Sequence, residues 1–287
     1  MPSGAKRRTS RGVIVSRFAP SPTGRLHLGH AWSAILAHDL ARDSGGRFLL
    51  RIEDIDGTRS RPEHVQTIMD DLTWLGLSWD GPVVHQSDRL PAYAAALDRL
   101  REVGLLYRCY CTRAEIAAAS LSAPHNAEPV YPGTCRERQD GSDRPFCWRI
   151  DMARAVAQAG ALEWQDGERT IPADPLSAGD VVLARKDAPA SYHLAVTVDD
   201  AWQGVTDVVR GRDLFAATHV HRLLQALLDL PTPHYHHHGL LAGEDGQRLA
   251  KRHGAPTLAA MRESGVDGRA IAADLRAGRV PNGLHTT

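Results

Sequence analysis

The stretch from Val13 to His30, VIVSRFAPSPTGRLHLGH, restricts the fold more than any other part of this chain. A β-type run at Val13-Ile14-Val15 breaks at Pro20, Ser21, Pro22 and Gly24. An apolar periodic segment from Leu28 to Leu40 then reads as a helix. Strand, turn and helix in that order leave free backbone N–H groups above a sheet end, a place where phosphates are held. His27-Leu28-Gly29-His30 falls where the turn becomes helix; Gly29 admits a planar group close to the backbone, and two imidazoles there can donate to phosphate oxygens. Ser44-Gly45-Gly46 ends the helix and Phe48 to Ile52 forms a second β-type run, so the chain opens β-α-β, as in a parallel sheet. At the exit of that run Glu53, Asp54 and Asp56 bunch together, placed to read a ligand's ammonium group; spacing alone equally allows a solvated acidic turn.

Further along, helices are expected from Pro62 to Leu75, from Arg89 to Gly104 behind a Gln86-Ser87-Asp88 cap, and from Asp213 to Leu230, stopped by Pro231. Alternation and β-branched residues give Ser191 to Asp200 the look of a strand, with a short helix at Asp200 to Gln203 equally open. Asp180 to Asp187 reads as a strand leading back to the main sheet. His234 to His238 reads as a strand and not a metal site, because consecutive strand residues point to opposite faces.

The 34 Lys+Arg balance 34 Asp+Glu across 287 residues, so overall charge gives no support to a nucleic-acid partner, although a local basic face is compatible with it. No run has the length of a membrane span and no apolar signal core follows the basic start. Lys6, Arg7, Arg8 and Arg11 make residues 1–11 a disordered basic tail, with an RNA-phosphate contact or a short transit peptide as other readings. Four cysteines without the spacing of a secreted disulfide framework indicate a reducing, cytoplasmic setting. Cys109, Cys111 and Cys135 can converge on a soft tetrahedral ion, zinc by default; chemistry alone nominates Cys147 or His125 as fourth donor.

RFAPSPTG followed by HLGH resembles the first signature of class I aminoacyl-tRNA synthetases in the glutamyl/glutaminyl branch. RIEDID at 51–56 and WLGLSWDGP at 74–82 resemble further segments of that branch. Arg248-Leu249-Ala250-Lys251-Arg252 is similar to its second signature, with Arg248 and Ala250 replacing a lysine and a serine. The Cys-x-Cys pair with Tyr131-x₃-Cys135 resembles the stand-alone glutamyl-queuosine tRNA(Asp) synthetases; the likeness covers roughly residues 12 to 265.

The resemblance implies an α/β fold, a Rossmann-like parallel sheet of a class I synthetase with an inserted small zinc-binding domain. The expected division is a catalytic first half at 12–106, the insertion at 107–190, a second half at 191–241, and a KMSKS-type loop with short helices at 242–287. No anticodon-binding domain is expected. Glutamate is implied to contact Arg17, Ala19, Ser21, Glu53, Tyr192 and Arg210. ATP, with Mg²⁺, is implied to lie on His27, Gly29, His30, Arg248 and Lys251, with His27, His30 and Lys251 catalytic. A structural zinc is implied on Cys109, Cys111, Tyr131 and Cys135, Tyr131 being preferred to Cys147 and His125. The implied activity is ATP-dependent formation of glutamyl-adenylate and transfer of glutamate to queuosine in the anticodon stem-loop of tRNA(Asp), by a monomer. Two other readings stay open: a truncated glutamyl-tRNA synthetase charging a 3′ end, and an inactive RNA-binding or regulatory paralogue.

Overall fold

The computed structural model describes residues 12–112, 114–116, 130–138, 143–242, 256–279 and 285–286; His125, Arg248, Ala250 and Lys251 lie outside them. Strand β1 (Val15–Phe18), helix α1 (Leu28–Asp43) and strand β2 (Arg47–Ile52) form the expected opening unit, with β1 and β2 parallel from Val15↔Arg47 to Phe18↔Leu50. The register leaves no room for a side chain at Gly46, where a Cβ would stand 2.0 Å from the Ile14 carbonyl oxygen. Small residues let α1 lie close on the sheet: Ala31, Ala34, Ala37 and Ala41 are all fully buried, together with Ile35, against Phe48, Leu50 and Ile52. Burying both faces of β1 and β2 also buries Ser16, Arg17 and Arg51, polar residues that must then find partners.

Helix α2 (Pro62–Trp74) leads to β3 (Val84–His85), parallel to β2, and a 3₁₀ turn at Gln86–Arg89 leads into α3 (Leu90–Glu102). The expected Gln86-Ser87-Asp88 cap is not one: Ser87 Oγ donates to Asp54, and no side chain caps α3. Strands β4 (Leu106–Cys109), β5 (Cys147–Ile150) and, after α4 (Met152–Ala159) and the hairpin β6 (Glu163–Asp166)–β7 (Arg169–Pro172), β8 (Val182–Ala184) make a small antiparallel sheet. Thus β8 pairs with β5 and not with the main sheet. The hairpin does join the main sheet, through the parallel contact of Asp166 with Tyr235.

Residues expected as a strand from Ser191 are a helix, α5 (Tyr192–Trp202). Leu194, Ala195, Val196, Thr197, Asp199 and Asp200 are all buried in it, so no polar face marks the helical period, and packing against α3 and the next helix overrides the β-branched propensity. Strand β9 (Asp207–Gly211), helix α6 (Phe215–Leu227) and strand β10 (His234–His238) follow, β9 and β10 being parallel throughout. Strand β11 (Leu241–Ala242), helices α7 (Leu258–Glu263) and α8 (Gly268–Arg276) and strand β12 (His285–Thr286) complete the described chain. The two parallel sheets meet at β1: Thr206 N–H donates to the Val15 carbonyl and Val15 N–H to Thr206 Oγ1, each at 2.9 Å. Strand β1 therefore stands between β2 and β9, and the chain departs to opposite sides at their carboxyl ends, opening a crevice there. Among the described residues no helix is long and apolar enough to cross a membrane.

Candidate active site

That crevice is a cleft of about 640 Å³, and it gathers Arg17, Ala19, Ser21, His27, Gly29, His30, Glu53, Tyr192 and Arg210. Every described residue that the sequence nominated for glutamate or ATP thus lines one cavity, although they come from six separate elements or turns. Of the acidic cluster only Glu53 faces it: Asp54 accepts from Ser87, and Asp56 accepts from Thr58, Arg59 and Arg185.

Two imidazoles cap α1. His27 Nδ1 accepts from Gly29 N–H at 3.1 Å, and His30 Nδ1 accepts from His27 N–H at 3.2 Å, with the ring centroids 3.9 Å apart. An Nδ1 that accepts carries no proton, so each ring is neutral with its donor at Nε2. The planar group for which Gly29 makes room is the His27 ring itself, whose Cε1 would lie 3.0 Å from a Cβ. Thr257 bridges back to His27 and Leu258 N–H donates to the Leu26 carbonyl at 2.9 Å, so the chain after the 248–252 segment is fastened beside this cap.

On the glutamate side, charges interleave. Arg17 makes a bidentate pair with Asp200 at 3.0 and 3.2 Å. Arg51, fully buried, reaches Asp200 and Gln203 at 2.8 Å each and Glu53 at 3.4 Å. Asp199 accepts from Arg89 at 2.6 Å, from Tyr93 at 2.7 Å and from Gln86 at 2.9 Å. Three guanidinium groups and three carboxylates therefore form one neutral network. Burial pushes Asp200 up, but Arg17 and Arg51 outweigh it and hold the carboxyl below the usual range, whereas burial prevails at Glu53 and raises it.

Arg210 stands outside this balance. It is buried, and its N–H groups reach His237 Nε2 at 3.2 Å, Tyr192 Oη at 3.2 Å, His221 Nδ1 at 3.3 Å and Thr218 Oγ1 at 2.6 Å. Among the described residues no carboxylate pairs with it; Asp207, the partner suggested by proximity in sequence, bonds His236 and Thr206 instead. Burial and the Arg210 charge push both histidines down, His237 to about 4, so both are neutral near pH 7.

Arg51, Asp199, Asp200, Thr218, His221 and His237 escaped sequence reading. The one local signal was the Asp199-Asp200 pair inside an otherwise apolar run. The five-residue His234–His238 run behaves as the expected strand: His236 meets Asp207, His237 meets Asp166 and His238 meets Ser33.

Away from the cleft, the sulfurs of Cys109, Cys111 and Cys135 lie within 4.8 Å of one another, Cys111 and Cys135 at 3.5 Å. Tyr131 Oη is 3.6 Å from Cys111 Sγ, and Arg149 stacks 3.9 Å over its ring. Metal–ligand bonds of about 2.0–2.3 Å imply tetrahedral edges of roughly 3.3–3.8 Å, a range that includes the Cys111–Cys135 and Cys111–Tyr131 separations, so this donor set suits a soft ion. Cys147 Sγ is turned to the Cys109 carbonyl at 3.5 Å.

Residues 13–278 match the family model of tRNA synthetases class I (E and Q), catalytic domain. The Glutamyl-Q tRNA(Asp) synthetase of Rhodobacter capsulatus is 51% identical over 270 residues, covering 88% of this chain and 96% of that protein. The protein of the same name from Nocardia farcinica is 50% identical over 254 residues, covering 87% and 79%. The crystal structure of the glutamate-tRNA synthetase of Elizabethkingia anophelis superposes with a TM-score of 0.72 at 26% identity, over 86% of this chain and 55% of that one. A glutamate tRNA ligase from Elizabethkingia meningosepticum, in complex with its amino acid, gives 0.71 at 26% identity over 86% and 54%. The chain spans about half the length of these solved structures. A parallel sheet with its cleft at the switch point, a helix capped by the HLGH imidazoles and kinship over nearly the whole chain lead to one assignment: it belongs to the class I glutamyl/glutaminyl tRNA synthetase family, among the Glutamyl-Q tRNA(Asp) synthetases.

Proposed function

We propose that the chain activates L-glutamate with ATP and transfers it to the queuosine base of tRNA(Asp). One observation carries the substrate: Arg210 is a buried cation that no carboxylate among the described residues pairs with, beside a network already neutral. Glutamate brings one ammonium and two carboxylates, a net single negative charge, and balances the site; glutamine does not. Glu53 receives the ammonium, and Arg210 with Tyr192 receives a carboxylate in charge-assisted bonds.

In the first step a glutamate carboxylate oxygen attacks the α-phosphorus, a P–O bond to pyrophosphate breaks, and glutamyl-adenylate forms. No side chain need act as nucleophile or base; alignment and charge stabilisation carry the step. The Nε2–H groups of His27 and His30 and the α1 N-terminus serve the phosphates. Lys251 is assigned the opposite side, which the fastening of Thr257 at His27 favours. Mg²⁺ bound to ATP adds charge neutralisation. In the second step a nucleophilic group of queuosine attacks the acyl carbon and AMP leaves.

Glutamate-dependent pyrophosphate exchange is expected without any RNA, and labelled glutamate is expected on queuosine-containing but not queuosine-free tRNA(Asp). Exchange at background sinks the activation reading; equal labelling of both tRNAs favours charging of a 3′ end. RNA affinity without ATP turnover favours an inactive paralogue.

Residues 107–190 supply a zinc site of Cys109, Cys111, Cys135 and Tyr131, a closed set that holds the loops and leaves no position for catalysis. Purified protein is expected to carry one zinc per chain, lost to a chelator. Tyr131→Phe should weaken metal retention and Cys147→Ser should not; the reverse order would exchange the two assignments.

A further inference from the structure

We propose that Thr218, His221 and His237 form an uncharged cage that aims Arg210 into the cleft while denying it an internal counter-charge, and so sets the preference for an acidic over an amide side chain; this rests on the glutamate reading above. None of the three lines the cleft. Thr218 and His221 lie three residues apart on α6, hence on one face, and both are buried; His237 comes from β10. Each gives Arg210 a lone pair: His237 Nε2 to Nε–H, His221 Nδ1 to one Nη1–H, and Thr218 Oγ1 to Nη2–H.

The lone pairs are fixed from behind. Asp166, at the end of β6, accepts from His237 Nδ1 at 2.9 Å and from its backbone N–H at 3.0 Å. That contact places the His237 proton on Nδ1 and leaves Nε2 free to accept. His221 Nε2 faces His193 Nδ1 at 3.2 Å, so its proton lies there and Nδ1 accepts from Arg210. Arg210 offers only donors, so each imidazole nitrogen that meets it must be unprotonated, while the Thr218 hydroxyl accepts through an oxygen lone pair. A carboxylate at any cage position would satisfy the same geometry and also cancel the charge. The three cage residues instead supply hydroxyl and imidazole, which orient without neutralising. The hairpin β6–β7 thereby reaches the site through one acid, two hydrogen bonds away from Arg210.

The test is RNA-free pyrophosphate exchange with His221→Glu and Thr218→Asp, each placing a carboxylate beside Arg210. The KM for glutamate is expected to rise about 100-fold in both, as for breaking a buried charge pair, while the KM for ATP changes less than about threefold. The preference for glutamate over glutamine should fall in proportion. His221→Gln, uncharged, should restore the KM for glutamate to within about fivefold of the parent. Acid variants that melt as the parent does and keep its glutamate KM overturn the proposal, as do variants that lose kcat and both KM values together. If neither acid variant folds, Asp166→Asn decides: freeing the His237 tautomer should raise the glutamate KM about tenfold with ATP unaffected, and no change overturns the cage. Parent protein without glutamate-dependent exchange would instead reject the substrate reading on which the cage rests.

Discussion

Arg210→Gln is expected to lower glutamate-dependent pyrophosphate exchange about 1,000-fold, almost wholly through the KM for glutamate, and at the same time to stabilise the fold. Both effects have one origin. The guanidinium is taken out of water with only neutral partners around it. Its hydrogen bonds offset part of the desolvation penalty, but no carboxylate among the described residues pairs with it to offset the rest. A neutral amide at this position can still donate to Thr218 or an imidazole, and it removes the buried charge. Relief of about 1–3 kcal/mol is therefore expected, seen as a higher urea midpoint. Substrate loses its counter-charge at a buried cation, which is why the cost falls on binding. The ATP KM should hold, because His27 and His30 are positioned by the α1 cap and not by Arg210. An unchanged glutamate KM, or a variant clearly less stable than the parent, would show that Arg210 is a structural cation.

How far the sequence reached depended on whether the decisive contacts were local. The opening β-α-β unit was legible because its signals lie within about one turn of the elements they govern: Pro20 and Pro22 end the strand, and Gly46 fixes the return. Segment 192–202 was not. Its helix is buried nearly all round, and Val196, Thr197 and Val198 mimic a strand unless the packing of α3 and α6 is known. The hairpin β6–β7 has its seat beside Tyr235 through a pairing about 70 residues away that no local rule gives. The site divided in the same way. Resemblance nominated the residues that face the cleft, Arg17, Glu53, Tyr192 and Arg210 among them, and the fold brings them together. Resemblance was silent on what stands behind them. Arg51 looked like part of an ordinary strand, and His237 like one of five histidines; only the fold shows that one grips Glu53 and the other feeds Arg210.

Asp200→Asn carries the opposite expectation for stability, although it too replaces a buried charge by an amide. Asp200 is shared by two guanidinium groups, Arg17 through both oxygens and Arg51 at 2.8 Å. Apart from the neutral amide of Gln203 at 2.8 Å, Arg51 has little else to fall back on. Its Nε finds no hydrogen-bond partner, Asp199 lies 3.9 Å away, and Glu53 is at 3.4 Å. Removing one charge from a closed network strands the other, at a cost of about 3–5 kcal/mol, or roughly a 6–15 °C fall in melting temperature. The amide retains one acceptor, so part of the geometry survives, but its NH₂ now points at donors. Glutamate binding should weaken as well, since Arg17 lines the cleft in the pose that Asp200 imposes and Arg51 in turn holds Glu53. Paired with Arg210→Gln, the variant separates two kinds of buried charge: one that the fold has already balanced and one left for the substrate. If Asp200→Asn melts within a degree or two of the parent, the network is not the keystone of this side of the cleft, and the neutrality on which the choice of glutamate rests must be reckoned anew.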